Sequence, residues 1–172
     1  DNVANNITAT PLTIAGLVFF FSGLAFKLSL VPFHFWTADT YQGAPSVVAG
    51  YLSVISKGAA AFAALTILTK VFANIITFWH PMLCIIIVLS ITVANLFAIR
   101  QENIKRFMAF SSISQAGYIM LALLSPSAYA TTALSYYVLI YIVANLAVFG
   151  IIAVIENHDA KAVNISDYDG LY

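Results

Sequence analysis

The sequence predicts an all-α, polytopic transmembrane helix bundle of about five spans, and three observations predict it. Of the 172 residues, 62% are hydrophobic and only 8% charged, with a mean hydropathy of +0.94, whereas a soluble domain carries about 25% charged residues. The few charges stand so that uncharged stretches of membrane-crossing length lie between them; about 20 apolar residues at ~1.5 Å rise cross a ~30 Å hydrocarbon core. Nothing alternates with period two as a barrel strand does, and helices satisfy their own backbone groups where no water is at hand. Seven basic residues balance seven acidic ones, so net charge argues for no nucleic-acid partner and what matters is where the charges fall.

The first span is expected from about Leu12 to Trp36, broken near Pro32. Pro32 lacks an N–H and its ring crowds the carbonyl four residues back, that of Leu28. The second runs from about 47 to 68, centred on Lys57 and closed by Lys70. The third is expected from about Pro81 to Ile99, leaving 69–80 as a loop, and Arg100, Glu102, Lys105 and Arg106 make a polar turn after it. From Phe107 to Ile155 there is no charge, and Ser125-Pro126-Ser127 divides the stretch into spans of about 105–124 and 129–155. Short connections make consecutive helices antiparallel neighbours within one transmembrane region, 1–172.

Basic residues in short loops orient such a bundle. Arg100, Lys105, Arg106 and Lys161 collect on the side of loops 37–46 and 100–104 and the tail, against Lys70 alone on the other. This puts the first side in the bacterial cytoplasm or mitochondrial matrix and the N-terminus outside. The opening DNVANNITATP carries no signal-peptide pattern, and the chain reads as an internal piece of a longer membrane protein. The patterns NIT at Asn6 and NIS at Asn164 match glycosylation acceptors at the level of chance.

Two lysines stand where the bilayer is least hospitable. A charge at mid-membrane costs at least ~2.5–3.5 kcal/mol on insertion scales and by default marks function. Lys27 and Lys57 both come out near mid-depth, too far from an interface to snorkel, and a partly desolvated lysine exchanges a proton more readily than a solvated one. His34, two helical turns beyond Lys27 and expected on nearly its face, is a candidate proton relay, with interfacial anchoring beside Phe35 and Trp36 as the plain alternative. Pro32 marks either a simple kink or the broken helix of a transport site, and the neighbouring lysine favours the latter.

Gly50, Ser53, Lys57, Ala60, Ala61 and Ala64 form a small and polar stripe at helical spacing, able to hold a close neighbour or water. Ser111, Ser114, Gln115 and Tyr118 are expected on one face of the fourth helix, and Ser53, Ser111, Ser114 and Gln115 are candidates for a polar path. Each serine alone reads more simply as bonded back to its own helix. Cys84 is alone and forms no internal disulfide. No nucleotide loop, CxxC pair or metal-ligand spacing occurs, so no cofactor or metal is expected.

Three separated blocks, FKLSLVPFHFWTADTYQGAP, SKGAAAFA and NLFAIRQENIKRFMAFSSISQAGYIML, carry a resemblance to antiporter-like subunit N, also called subunit 2, of proton-pumping NADH:quinone oxidoreductase, respiratory complex I. Sister subunits L and M and cation/proton antiporter subunits share the lysine and a related PFHxW block, but the GAP ending and the lysine in the next helix favour N. The resemblance implies that the five helices are the seventh to eleventh of a longer bundle. It implies that Lys27 is the lysine of the broken helix, that Lys57 carries protons laterally from it, and that redox chemistry belongs to other subunits. It implies neighbouring membrane subunits and the lipid bilayer as partners. The carboxylate that the family pairs with the first lysine, and a further charged residue, lie on helices outside this chain. Ala38 and Gln42 depart from the family pattern in a loop. Two rival readings are a cation/proton antiporter subunit and a structural scaffold whose lysines hold lipid phosphates.

Overall fold

The computed structural model describes residues 7–124, 128–158 and 162–170. Asn6, the Ser125-Pro126-Ser127 break and Lys161 lie outside the described residues. Within them are five helices long and apolar enough to cross a membrane, and the expected all-helical bundle is what forms.

Helix α1 covers Pro11–Leu28, with Thr10 capping it by accepting a bond from the Thr13 amide and proline in its first turn, where the missing N–H goes unneeded. It stops before Pro32. The Leu30 amide donates to the Ala25 carbonyl (2.8 Å) and the Ser29 amide to that of Phe26 (3.0 Å), with Ser29 left-handed at φ 63°. This pairing ends a helix with the residue after its last turn in the position glycine usually fills. The chain then crosses Leu30–His34 and re-enters a short helix, α2, Phe35–Gly43. The break therefore lies in the expected span, but Lys27 and His34 do not share the face of one continuous helix, and the Leu28 carbonyl is not set free by Pro32 alone. Side chains bond the backbone around the break: Ser90, on a later helix, accepts from the Val31 amide (2.9 Å), and the Trp36 indole of α2 donates to the Phe26 carbonyl (3.1 Å).

Helix α3 spans Ser46–Val71, longer than expected at its far end, and widens into π-turns at Leu52–Ser56 and Ile67–Val71. Lys70 lies within its last turn rather than beyond it. The expected loop 69–80 is mostly helix, a 3₁₀ turn Ala73–Ile75 leading into α4, Ile76–Ile99. Pro81 is thus inside α4. It sits near the start, where only the Thr77 carbonyl loses its partner, so the helix passes through. The Trp79 indole, bonded to the Phe72 carbonyl (3.0 Å), ties the turn.

Helix α5 covers Ile104–Met120, capped by Asn103, whose side chain accepts from the Arg106 amide, and ends in a 3₁₀ turn Leu121–Leu124. Helix α6 covers Ala128–His158. The α5 span is the least hydropathic, 1.5, and the most buried, 61%, whereas the α6 span, at 2.8, is 22% buried. So α5 is the inner helix, packed by α2, α4 and α6, and α6 turns much of its surface outward. Gly117 lets α4 come close: a Cβ there would stand 2.8 Å from Ile91 Cγ1.

Loop 43–46, turn 100–103 and the end of α6 meet at one end of the bundle. Arg106 pairs with Asp39 (2.6 Å) and Lys105 with Glu156 (2.9 Å), so the basic residues do gather there. The tail returns over it: the Ile104 amide donates to the Val163 carbonyl (3.0 Å) and the Ile165 amide to that of Glu102 (2.8 Å). The Asp167 carboxylate closes the 3₁₀ turn Ile165–Tyr168 by accepting from the Asn164 amide (2.8 Å) and the Val163 amide (3.0 Å).

Candidate functional site

The stripe expected on the second span is buried at every position: Gly50, Ser53, Lys57, Ala60, Ala61 and Ala64 all face inward. Lys57 follows directly on the π-turn Leu52–Ser56, an insertion that locally re-aims the residues after it and recurs at functional sites. Its side chain is 1% exposed. The ammonium donates to Ser112 Oγ of α5 (2.7 Å) and stands 5.9 Å from the centre of the Tyr41 ring. Ser112 in turn donates to the Ala109 carbonyl (2.9 Å) and lies 3.5 Å from the Tyr41 hydroxyl. One turn before Lys57, Ser53 Oγ is 3.0 Å from the Tyr141 hydroxyl of α6. Four elements, α2, α3, α5 and α6, thus converge on one lysine.

No carboxylate pairs with Lys57 among the described residues, the two ion pairs being those of Lys105 and Arg106. Removing an unpaired ammonium from water costs several kcal/mol. A neutral hydroxyl and an aromatic face offset part of this, so the surroundings strongly decide whether Lys57 carries its charge.

Lys27 is differently placed. It is exposed, in the last turn of α1, and lines an open groove of about 520 Å³ against Tyr51, Ile55, Ser56, Ala59 and Ala63 of α3. Ala60 of the Lys57 stripe also lines it, so the groove runs along the flank of that stripe. Lys27 is thus exposed beside α3 while Lys57 is buried toward Ser112, and among the described residues no hydrogen bond joins the two.

His34 is 5% exposed, its ring 4.4 Å from that of Phe35, and its Nδ1 has no hydrogen-bond partner; nor do the hydroxyls of Ser29, Thr37 and Ser114. Three of the four belong to the break and the start of α2. The fourth is on α5, against which α2 packs. Buried polar groups are normally paired with protein or water, and each of these four is a place that suits a water.

Ser111 and Gln115 line a second cavity, about 350 Å³, with Tyr136, Tyr137, Tyr141 and Asn145 of α6, and Gln115 accepts a bond from the Tyr137 hydroxyl. Ser114 is not part of it. So the polar face expected on the fourth helix divides, Ser111 and Gln115 toward α6 and Ser114 into the interior. Sequence reasoning missed Ser112, Tyr41 and Tyr141, the partners that surround Lys57. Ser112 stands next to Ser111 in SSIS, and choosing between them needs the direction of α5. His80, without context in sequence, bonds the Leu124 carbonyl (3.1 Å) at the end of the α5 span.

All of residues 1–172 match the family model described as NADH:quinone oxidoreductase/Mrp antiporter, transmembrane. The chain is 63% identical over 172 residues to NADH-quinone oxidoreductase subunit N of Phocaeicola vulgatus, with 100% of this chain and 36% of that protein covered. It is 41% identical over 156 residues to NAD(P)H-quinone oxidoreductase subunit 2 of Synechocystis, covering 91% of this chain and 30% of that one. Among solved structures it is similar to a chain of respiratory complex I from Thermus thermophilus with bound aureothin, at TM-score 0.72 and 37% identity over 87% of this chain and 32% of that one. It is also similar to a chain of the Mrp complex from Dietzia, at TM-score 0.76 and 25% identity, over 90% of this chain and 28% of that one. The chain spans about a third of the length of these relatives.

Proposed function

Because the chain belongs to the NADH:quinone oxidoreductase/Mrp antiporter transmembrane family, we propose that it is the central part of a proton-translocating membrane subunit of an NADH:quinone oxidoreductase. Protons move through it while electrons move in other subunits, and its partners are neighbouring membrane subunits and lipid. The basic end faces the bacterial cytoplasm or the mitochondrial matrix in this reading.

The observation that carries the proposal is Lys57, fully buried at the middle of a membrane helix, bonded to a neutral serine and, among the described residues, without a carboxylate in contact. Such a group is costly as structure and useful as a proton carrier, because small electrostatic changes alter its charge. Lys27, at the edge of its groove, takes its charge partner from a part of the subunit outside this chain. His34, with Ser29, Thr37 and Ser114, forms a hydrated region at the break through which a proton reaches the α2–α5 interface. Pro32 keeps the break from closing into helix. Ser53, Ser111 and Gln115 extend the polar surface toward α6.

The test replaces Lys57 with Met in the full-length subunit within its membrane complex. Proton uptake per electron falls while the complex assembles and its hydrophilic part still oxidises NADH. Unchanged stoichiometry in that variant sinks the proposal.

The likeness to the Mrp complex supports a second reading, a cation/proton antiporter subunit working without electron transfer. Under it, proton movement by the purified full-length protein depends on sodium or potassium and needs no NADH-oxidising partner.

A further inference from the structure

Between the basic end of the bundle and Lys57 the interior has three levels. At the outer level Glu156, near the end of α6, accepts from Lys105 Nζ (2.9 Å) and from the Ser46 hydroxyl. Lys105 also donates to the Ala44 carbonyl (3.2 Å). The pair is largely sealed, with 11% of the lysine side chain and 24% of the glutamate exposed. Ser46 opens α3, and Lys57 lies about 16 Å along the same helix, at ~1.5 Å per residue.

The middle level is one aromatic ring. Phe149, two turns before Glu156 on α6, is 2% exposed. It rests on Gly50 of α3, where a Cβ would stand 3.1 Å from its own Cβ, and meets the Tyr41 ring edge-on at 6.2 Å. Glycine is unfavourable inside a helix, and here it admits the ring. The inner level is the group already described, the Tyr41 hydroxyl, Ser112 and Lys57.

A half-buried ion pair adds little to stability, since well-packed apolar side chains of similar volume do as well or better. Glu156 is also the more buried of the two carboxylates in ion pairs among the described residues, the other being the exposed Asp39 with Arg106. We propose that protons approach Lys57 from the basic end along this column, with Glu156 as the outer proton-carrying residue and Phe149 as the barrier between it and the Tyr41–Ser112–Lys57 group. The inference rests on the proton-carrying role proposed for Lys57.

The step conserves one proton and involves no electrons. A hydronium ion at the basic end gives its proton to the Glu156 carboxylate and leaves as water, and the neutralised carboxyl releases Lys105 Nζ. The Glu156 O–H bond then breaks. The proton passes along water admitted beside the Phe149 ring and over the Tyr41 and Ser112 hydroxyls to the neutral Lys57 amine, forming an N–H bond, and the carboxylate pairs with Lys105 again.

The experiment uses the full-length subunit in its complex, reconstituted in sealed vesicles, and compares Glu156→Gln, Glu156→Asp, Phe149→Ala and Lys57→Met. NADH-driven proton uptake and passive proton leak are measured at matched complex content. Glu156→Gln is expected to slow proton uptake at least about tenfold, well inside the ~100-fold or more that a positioned acid–base group contributes, and Glu156→Asp to restore part of it. Phe149→Ala is expected to raise the passive leak. Glu156→Gln at the wild-type rate overturns the proposal, as does a loss that merely follows loss of assembled complex and is not recovered by Asp. An unchanged leak in Phe149→Ala removes the ring as the barrier. Normal uptake in Lys57→Met is the separate failure, that of the role for Lys57; impaired Lys57→Met with normal Glu156→Gln rejects the column alone.

Discussion

Replacing Ser112 with Ala removes the one hydroxyl to which the Lys57 ammonium donates, at 2.7 Å, while leaving the rest of the cluster in place. Both residues are 1% exposed, so no solvent substitutes for the lost oxygen. A hydrogen bond to a charged group contributes about 1.5–3 kcal/mol, and the Tyr41 ring, 5.9 Å from Nζ, remains to hold part of the charge. If Lys57 carries the translocated proton, each turnover passes through its charged form without that bond. The translocated step then slows by about ten- to a hundredfold, at ~1.4 kcal/mol per factor of ten. Ser112→Thr keeps the hydroxyl and serves as the conservative control. The assay is the initial rate of NADH-driven proton uptake in vesicles, normalised to complex content. Wild-type uptake by Ser112→Ala would refute the reasoning, because it would mean that the bond is absent from the rate-determining state.

Two further substitutions test how the site is held. Ser90→Ala leaves the Val31 amide, 8% exposed in its residue, with no acceptor at the helix break. It should cost about 1–3 kcal/mol, read as a lower apparent Tm of the purified full-length protein in detergent, and an unchanged Tm would show that the break does not depend on α4. Gly117→Ala places a methyl 2.8 Å from Ile91 Cγ1 and should destabilise by about 1–3 kcal/mol. Trimming the neighbour with Ile91→Ala should recover part of the loss in a double-mutant cycle, and additive effects would count against the contact.

How far the sequence disclosed this site depends on the range over which each feature is specified. The spans were legible because hydrocarbon excludes charge along the whole length of a helix, and the gaps between charged residues record it. The inward stripe of α3 was legible too, since helical spacing links Gly50 to Ala64 without reference to any other element. The break was legible in place but not in mechanism: Pro32 signalled it, whereas the chain ends α1 by turning Ser29 left-handed, a job usually marked by glycine. Pro81 misled for the opposite reason, since a proline near the start of a helix disturbs only one carbonyl. Ser112, Tyr41 and Tyr141 remained hidden because their importance comes from α2, α5 and α6 meeting at Lys57. Nothing local separates Ser112 from Ser111. The pairing of Lys105 with Glu156 joins residues on different helices and has no periodic trace at all.

The arrangement of Lys27 and Lys57 bears on how the two cooperate in the proposed role. Lys27 borders a groove lined from Tyr51 to Ala63, whereas the buried Lys57 gives its bond to Ser112. Among the described residues no hydrogen bond joins the two lysines, and the helix beside which they stand is about 10–12 Å across. Two unit charges at that separation still interact by about 1.5 kcal/mol at an effective dielectric constant of ~20, about a tenfold change in an equilibrium. Charge coupling through α3 and handover of a proton from Lys27 to Lys57 make opposite predictions for Lys27→Arg. Arginine keeps the positive charge and does not release its proton in proteins. Under charge coupling, Lys27→Arg retains a substantial share of proton uptake while Lys27→Ala loses most of it. Under handover, both variants fail alike. Measured side by side in the same vesicles, equal loss in the two variants, with the complex fully assembled, would discard coupling through the helix and require a water path around it.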